Sequence, residues 1–125
     1  MKTIQQKIRF KAPPRKLYEM YMDSGRSAPA VGGPFLAHQG YVKGRNLQLV
    51  PGQLVVQSWR GADWDEKEPD SILFLKFEPV PGGGQVTLVH AGLSDQNAER
   101  HAKGWRSHYW NPWKKILDEG KKKSG

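Results

Sequence analysis

Four histidines, His38, His90, His101 and His108, are the groups in this 125-residue chain best suited to moving protons or holding a metal ion. His101 and His108 lie seven apart, close to two helical turns, which puts them on similar sides of a helix but roughly 10 Å apart along its axis. One metal ion cannot take both without distortion, and no nearby carboxylate completes a ligand set, so no metal and no cofactor is assigned. The pair reads as solvated or capping histidines. His90 ends an alternating run whose inward set includes Val86 and Leu88. It is either a core histidine satisfied by its neighbours or a donor that orients a ligand. Cysteine is absent, which removes thiolate nucleophiles, thiolate metal sites and disulfides. There is no Gly-x-Ser-x-Gly elbow, and Gly82-Gly83-Gly84 precedes a strand, so it reads as a hairpin turn and not as a phosphate loop. Arg60 and Asp63 are spaced to pair at the surface and hold a loop or gate a pocket mouth.

The second constellation is aromatic. Trp59 and Trp64 bracket Arg60 and Asp63, and Trp105, Tyr109 and Trp113 recur at helical spacing. Aromatic residues at such spacing pack as core by default. A helix laid across a strongly bent sheet also tends to leave space beneath it, which would suit a small hydrophobic or amphipathic ligand. The residues expected to line such a cavity are Phe35, Trp59, Trp64, Phe74, His90, Trp105, Tyr109 and Trp113.

These side chains need elements to position them. Ile4, Gln6, Ile8 and Phe10 share one face of a first strand, and Ala12-Pro13-Pro14 ends it and opens a helix to about Met22. Residues 24 to 31 read as a second, short helical turn released by Gly32-Gly33. Five strand-like runs follow: Phe35 to His38, Tyr41 to Val50, Gln53 to Trp59, Ser71 to Pro79 and Gln85 to Ala91. Their short turns, among them Pro51-Gly52, predict an antiparallel meander. Gly44 suggests a bulge. The run from Ile72 to Phe77 is apolar on both faces and reads as central. A helix from about Gln96 to Glu119 closes the chain, with Ala98, Ala102, Trp105, Tyr109, Trp113, Ile116 and Leu117 as its stripe, Asp95 as N-cap, a kink at Pro112 and a stop at Gly120.

The order β-α-α-β-β-β-β-β-α predicts an α+β, helix-grip architecture: six antiparallel strands curved around a long C-terminal helix. Residues 1–120 form one domain in this reading, and 121–125 a basic flexible tail. The net charge of +8 belongs to the ends, since residues 2–16 carry six bases and no acid and Lys121 to Lys123 add three. The bases of the first strand alternate outward, which reads as a solvated face, and no specific nucleic-acid partner is expected. No apolar run is long enough to span a bilayer, and Met1 to Lys11 lacks the apolar segment of a leader, so a cytoplasmic protein is expected.

Several segments recur together in order: Gly32-Gly33-Pro34-Phe35, then Leu49 to Trp64, then Gly92-Leu93-Ser94-Asp95, and last Gly104-Trp105 with His108-Tyr109-Trp110. The set resembles the family of homologues of the activator of the ninety-kilodalton heat-shock protein ATPase, within the START-like (SRPBCC, Bet v-like) superfamily. The resemblance implies the helix-grip fold and a non-catalytic domain that binds a heat-shock chaperone, a small hydrophobic ligand, or both. Its wider superfamily keeps open a lipid or aromatic carrier or sensor, and a cyclase-like enzyme using His90 or Tyr109. The chaperone contact is expected on the basic first strand and helix or on the acidic 61–70 loop. The full eukaryotic co-chaperones of this family carry an additional amino-terminal domain that is not expected in this chain, so strong ATPase activation is not expected of it. Oligomeric state is left open.

Overall fold

The computed structural model describes residues 1–27 and 30–124; side chains are described up to Gly25 and from Ala30 to Asp118. Strand β1 (Lys2–Phe10) leads into helix α1 (Pro14–Asp23), with Pro14 at the first helical position, where its missing N–H goes unneeded. Strands β2 (Arg26–Ser27), β3 (Pro34–Ala37), β4 (Val42–Val50), β5 (Leu54–Gly61), β6 (Ser71–Val80) and β7 (Gly83–Leu93) follow. All pairs are antiparallel, in the order β1-β7-β6-β5-β4-β3-β2. The six expected strands are present. The second helix expected over 24–31 is replaced by the two-residue edge strand β2; residues 28–29 lie outside the described residues.

Alternation decides which side chains face the core. Along β6, Leu73, Leu75 and Phe77 are buried while Ile72 and Phe74 are 38% and 41% exposed. The strand is therefore apolar on both faces yet covered on only one. Across the sheet, Leu73 sits opposite Gln57 on β5 and His90 on β7, and His90 opposite Ile4 on β1. This row forms the floor beneath the closing helix. Gly44 does not bulge; the register shift falls between Asn46 and Gln48. Gly44 is needed because a methyl group there would overlap the Ser58 carbonyl and the Phe35 ring. Gly44→Ala is expected to lose about 1–3 kcal/mol or more by overpacking, read as a lowered urea midpoint at unchanged slope.

The closing helix is α2 (Asp95–Trp105), a π turn (Arg106–Trp110) and α3 (Asn111–Ser124) run together. Its N-cap is Ser94, not Asp95: the Ser94 hydroxyl accepts from the Asn97 amide at 3.2 Å, and Asp95 sits in the first turn where its charge suits the helix dipole. Pro112 has no N–H to give the His108 carbonyl. Just before it the helix widens, and the Asn111 amide bonds the Arg106 carbonyl five residues back. The extra residue brings Tyr109 and Trp110 inward side by side, 5% and 2% exposed, and leaves Ile116 57% exposed, outside the expected stripe. α3 continues through Gly120 to Ser124, past the expected stop.

Candidate functional site

The aromatic layer between sheet and helix is filled. Trp105 lies 4.5 Å from Tyr109, 5.2 Å from Trp59 and 5.6 Å from Trp110, centroid to centroid. Phe10 and Trp113 extend the layer at 5.8 Å. Where an enclosed cavity would continue under the helix, the crevice between Tyr21, Phe35, Gln57 and Tyr109 holds only about 10 Å³. Gln57 is buried there and satisfied, accepting from the Tyr21 hydroxyl at 2.6 Å and donating to Asn46 at 2.8 Å.

His90 belongs to this layer as a fastener. It is fully buried, and both ring nitrogens are engaged: the Trp105 indole donates to Nδ1 at 3.2 Å, and Nε2 meets the Ser71 hydroxyl at 2.8 Å. An indole only donates, so Nδ1 is bare and the neutral ring carries its proton on Nε2. Ser71 accepts that proton's bond and gives its own hydrogen to the Trp59 carbonyl at 2.8 Å. Burial, aided by nearby His101, pushes the His90 pKa down to about 3. The same logic fixes His101. Trp59 donates to its Nε2 at 3.1 Å, so Nδ1 carries the proton and donates to the Asn97 carbonyl at 2.8 Å. Two tryptophans are thus each held by a neutral histidine.

Beside the filled layer lies an open cleft of about 570 Å³. Trp59, Trp105 and Tyr109 form its apolar wall, with Tyr41 and Val42; Arg100, Lys103, His101 and His108 come from the helix and His38 from the opposite side. Among the described residues lining it there is no carboxylate. Asp63 stands nearby, accepting from the Tyr41 hydroxyl and pairing with Arg100 at 3.6 Å. The expected Arg60–Asp63 pair does not form. Arg60 reaches the other way, to Asp70 at 3.3 Å and to the Glu68 and Asp65 carbonyls, both at 2.6 Å.

His38 is set by a strained turn. His38 and Gln39 have φ of 52° and 58°, followed by Gly40 at 90°, so two non-glycine residues sit in the left-handed region. Such a conformation costs of order 1 kcal/mol or more per residue and persists only where its surroundings hold it. Here they do: His38 Nε2 meets the Tyr109 hydroxyl at 3.1 Å, its ring lies 5.2 Å from His108 and 6.3 Å from Trp59, and the Tyr41 amide bonds its carbonyl at 3.1 Å. Burial, then His108 and His101, lower its pKa, and burial raises that of Tyr109 to about 12. The cleft therefore presents hydrogen-bonding groups around an aromatic wall, with Arg100 and Lys103 at its rim, paired with Asp63 and Glu99 at 3.6 Å each.

Of the eight residues expected to line a cavity, Trp59, Trp105 and Tyr109 reach the cleft. Phe35 and Trp113 are core, packed against Trp59 at 5.7 Å and Trp110 at 5.3 Å. Trp64 is buried against His101 at 5.8 Å, and His90 stands behind the wall. Phe74 is a correction: the period of β6 turns it to the outer face of the sheet. His38, Tyr41, Arg100 and Lys103 were not in the expected set, and neither were His101 and His108, expected on similar sides of the helix but not as lining of a cleft. The helical spacing of positions 100, 101, 104, 105 and 108 was a usable signal for one wall. The left-handed turn carrying His38 had none beyond Gly40. Among the described residues no group of three histidines or acids could hold a metal ion.

A curved antiparallel sheet closed by a long, aromatic-striped C-terminal helix, with an open cleft along that helix, defines a START-like helix-grip protein. The sequence profile described as "Activator of Hsp90 ATPase homolog 1-like protein" matches residues 11–118, and the chain belongs to that family. It is 27% identical over 121 residues to the human activator of 90 kDa heat shock protein ATPase homolog 1, covering 89% of this chain and 36% of that protein. The Dictyostelium discoideum homologue is 26% identical over 117 residues, covering 84% of this chain and 30% of that protein. The chain thus spans about a third of the length of these curated relatives. In fold it is similar to an HSP90 activator from Plasmodium falciparum, with a TM-score of 0.82 at 20% identity over 93% of this chain and 96% of that one. No described helix is long and apolar enough to cross a membrane.

Proposed function

We propose that residues 1–120 act as one non-catalytic binding module in the cytoplasm, and that its partner is a chaperone of the ninety-kilodalton heat-shock class. The family match over residues 11–118 carries this reading, because the relatives that share the domain are named as activators of that ATPase. The state of His90 supports the non-catalytic part: a general acid or base must reach the proton it moves, and His90 is fully buried with both nitrogens engaged. Titrating the isotope-labelled chain with the chaperone of its own organism tests the partner. Saturable amide shifts on a contiguous surface are expected; no perturbation at millimolar partner would sink the chaperone reading.

The cleft favours a second reading, a small amphipathic ligand with its apolar part toward Tyr41 and the edge of the aromatic wall and an acidic group toward Arg100 and Lys103. A thermal-shift screen of aromatic carboxylates against their neutral amides checks it. Stabilisation by the acids that is lost in Lys103→Glu is expected, and equal response to acids and amides would contradict the assigned polarity.

A further inference from the structure

A second groove, sharing no residue with the cleft, runs between β1 and the closing helix. Its volume is about 280 Å³, its floor is residues 5–8 of β1, and its other wall carries Arg106, Trp110, Asn111 and Lys114. Three properties of this groove point to one kind of occupant.

The first is an open sheet edge. β1 is nine residues long, ends the sheet and pairs among the described residues with β7 alone, so the backbone groups along its other side have no strand partner. Lysines on such an edge often serve only to repel other chains. Here the facing helix wall adds a second feature. Its Arg106 and Lys114 are both exposed, neither joins an ion pair among the described residues, and no carboxylate lines the groove. The third is a fixed width. Gln6 bridges strand and helix, donating to the Ala102 carbonyl at 3.1 Å and accepting from the Trp110 indole at 2.7 Å. The walls are therefore set before anything binds, which lowers the ordering cost of binding.

We propose that this groove docks an extended acidic peptide segment, which adds as a further strand beside β1 and sets its helix-side carboxylates against Arg106 and Lys114. The strand edge supplies alternating donors and acceptors to the peptide backbone, and the helix cations select side-chain charge. A nucleic-acid strand fits less well. The carbonyls of the strand edge repel phosphates, and Trp110, the groove's aromatic residue, is 2% exposed and unable to stack on a base. The proposal does not rest on the chaperone reading, and it can hold or fail independently of it.

The test is a titration of the isotope-labelled full chain with a short synthetic peptide alternating Glu and Val, run beside a proline-interrupted peptide of equal charge and a single-stranded oligonucleotide. Amide shifts and slowed hydrogen exchange at residues 5–8 are expected with the first peptide only, weakening with salt. The double variant Arg106→Glu with Lys114→Glu changes two exposed side chains and is expected to weaken binding about tenfold or more, whereas Lys43→Glu leaves it unchanged. Equal binding of the proline-interrupted peptide without slowed exchange, binding of the oligonucleotide alone, or no shifts at millimolar peptide would each overturn the proposal.

Discussion

Acidification from neutral pH is expected to unfold this protein through His90. Above pH 6.5 the ring is neutral in both folded and unfolded chains, so its placement costs nothing extra there. The folded pKa is held near 3 by burial. Between those values the unfolded state takes up a proton that the folded state refuses, and stability falls by about 1.4 kcal/mol per pH unit. The accumulated loss is about 4–5 kcal/mol by the time the folded ring titrates, a large part of a typical domain's stability. The geometry explains the size of the effect. Protonating Nδ1 would aim an N–H at the indole N–H of Trp105, replacing a hydrogen bond of 3.2 Å with two opposed donors. His38 and His101, also lowered chiefly by burial, steepen the slope in the same direction. Urea midpoints measured from pH 7.5 to pH 4 should fall steeply below 6.5 in the wild type. In His90→Gln the starting stability should be lower and the slope shallower, because an amide does not take up the proton. Parallel curves for the two proteins would contradict this account.

Trp105→Ala is expected to be the most damaging single truncation. Trp105 is 2% exposed and touches Trp59, Tyr109, Trp110 and Tyr21, so its removal opens the centre of the aromatic layer. Large-to-small changes of this kind cost about 3–5 kcal/mol. The change also strands the Nδ1 of His90, whose unmet bond adds about 1–3 kcal/mol unless water enters. Trp105→Phe keeps most of the ring and loses the donor, and should show mainly the smaller loss. Chemical denaturation of the three proteins at pH 7.5 separates the contributions. Because Trp105 and His90 touch, combining either substitution with His90→Gln should destabilise by less than the sum of the parts. Additive losses would mean that the hydrogen bond does not couple them.

Much of this was legible in the chain, and the misses have physical causes. The six strands and the long final helix follow from periodicity and from Gly and Pro at the turns; Pro51-Gly52 makes its hairpin, with Gly52 at φ 75° and the Gln53 amide bonding the Val50 carbonyl. The residues around the site were harder. Phe74 alternates correctly with Leu73 and Leu75, but when both faces of a strand are apolar the pattern does not say which face the helix covers. Trp110 fell off the expected stripe because a regular helix would turn it about 140° away from Trp105, on which it stacks. The absent N–H of Pro112 is a visible cause of a break, but the form the break takes, here a π turn, depends on packing. His38 enters the site from a left-handed turn that sequence spacing does not announce. The chemical groups themselves were found, yet which histidines are spent on structure and which face the cleft depends on tertiary contacts across the sheet.

His90 fastens the aromatic core as a neutral ring. Its protonation can be followed through the ring nitrogens of all four histidines by nitrogen-15 NMR as pH is lowered while the protein stays folded. His90 should keep a bare Nδ1 and a protonated Nε2 without titrating above pH 4, while His38 titrates below its ordinary value. A His90 ring that takes up its proton near pH 6.5 in the folded protein would contradict this role.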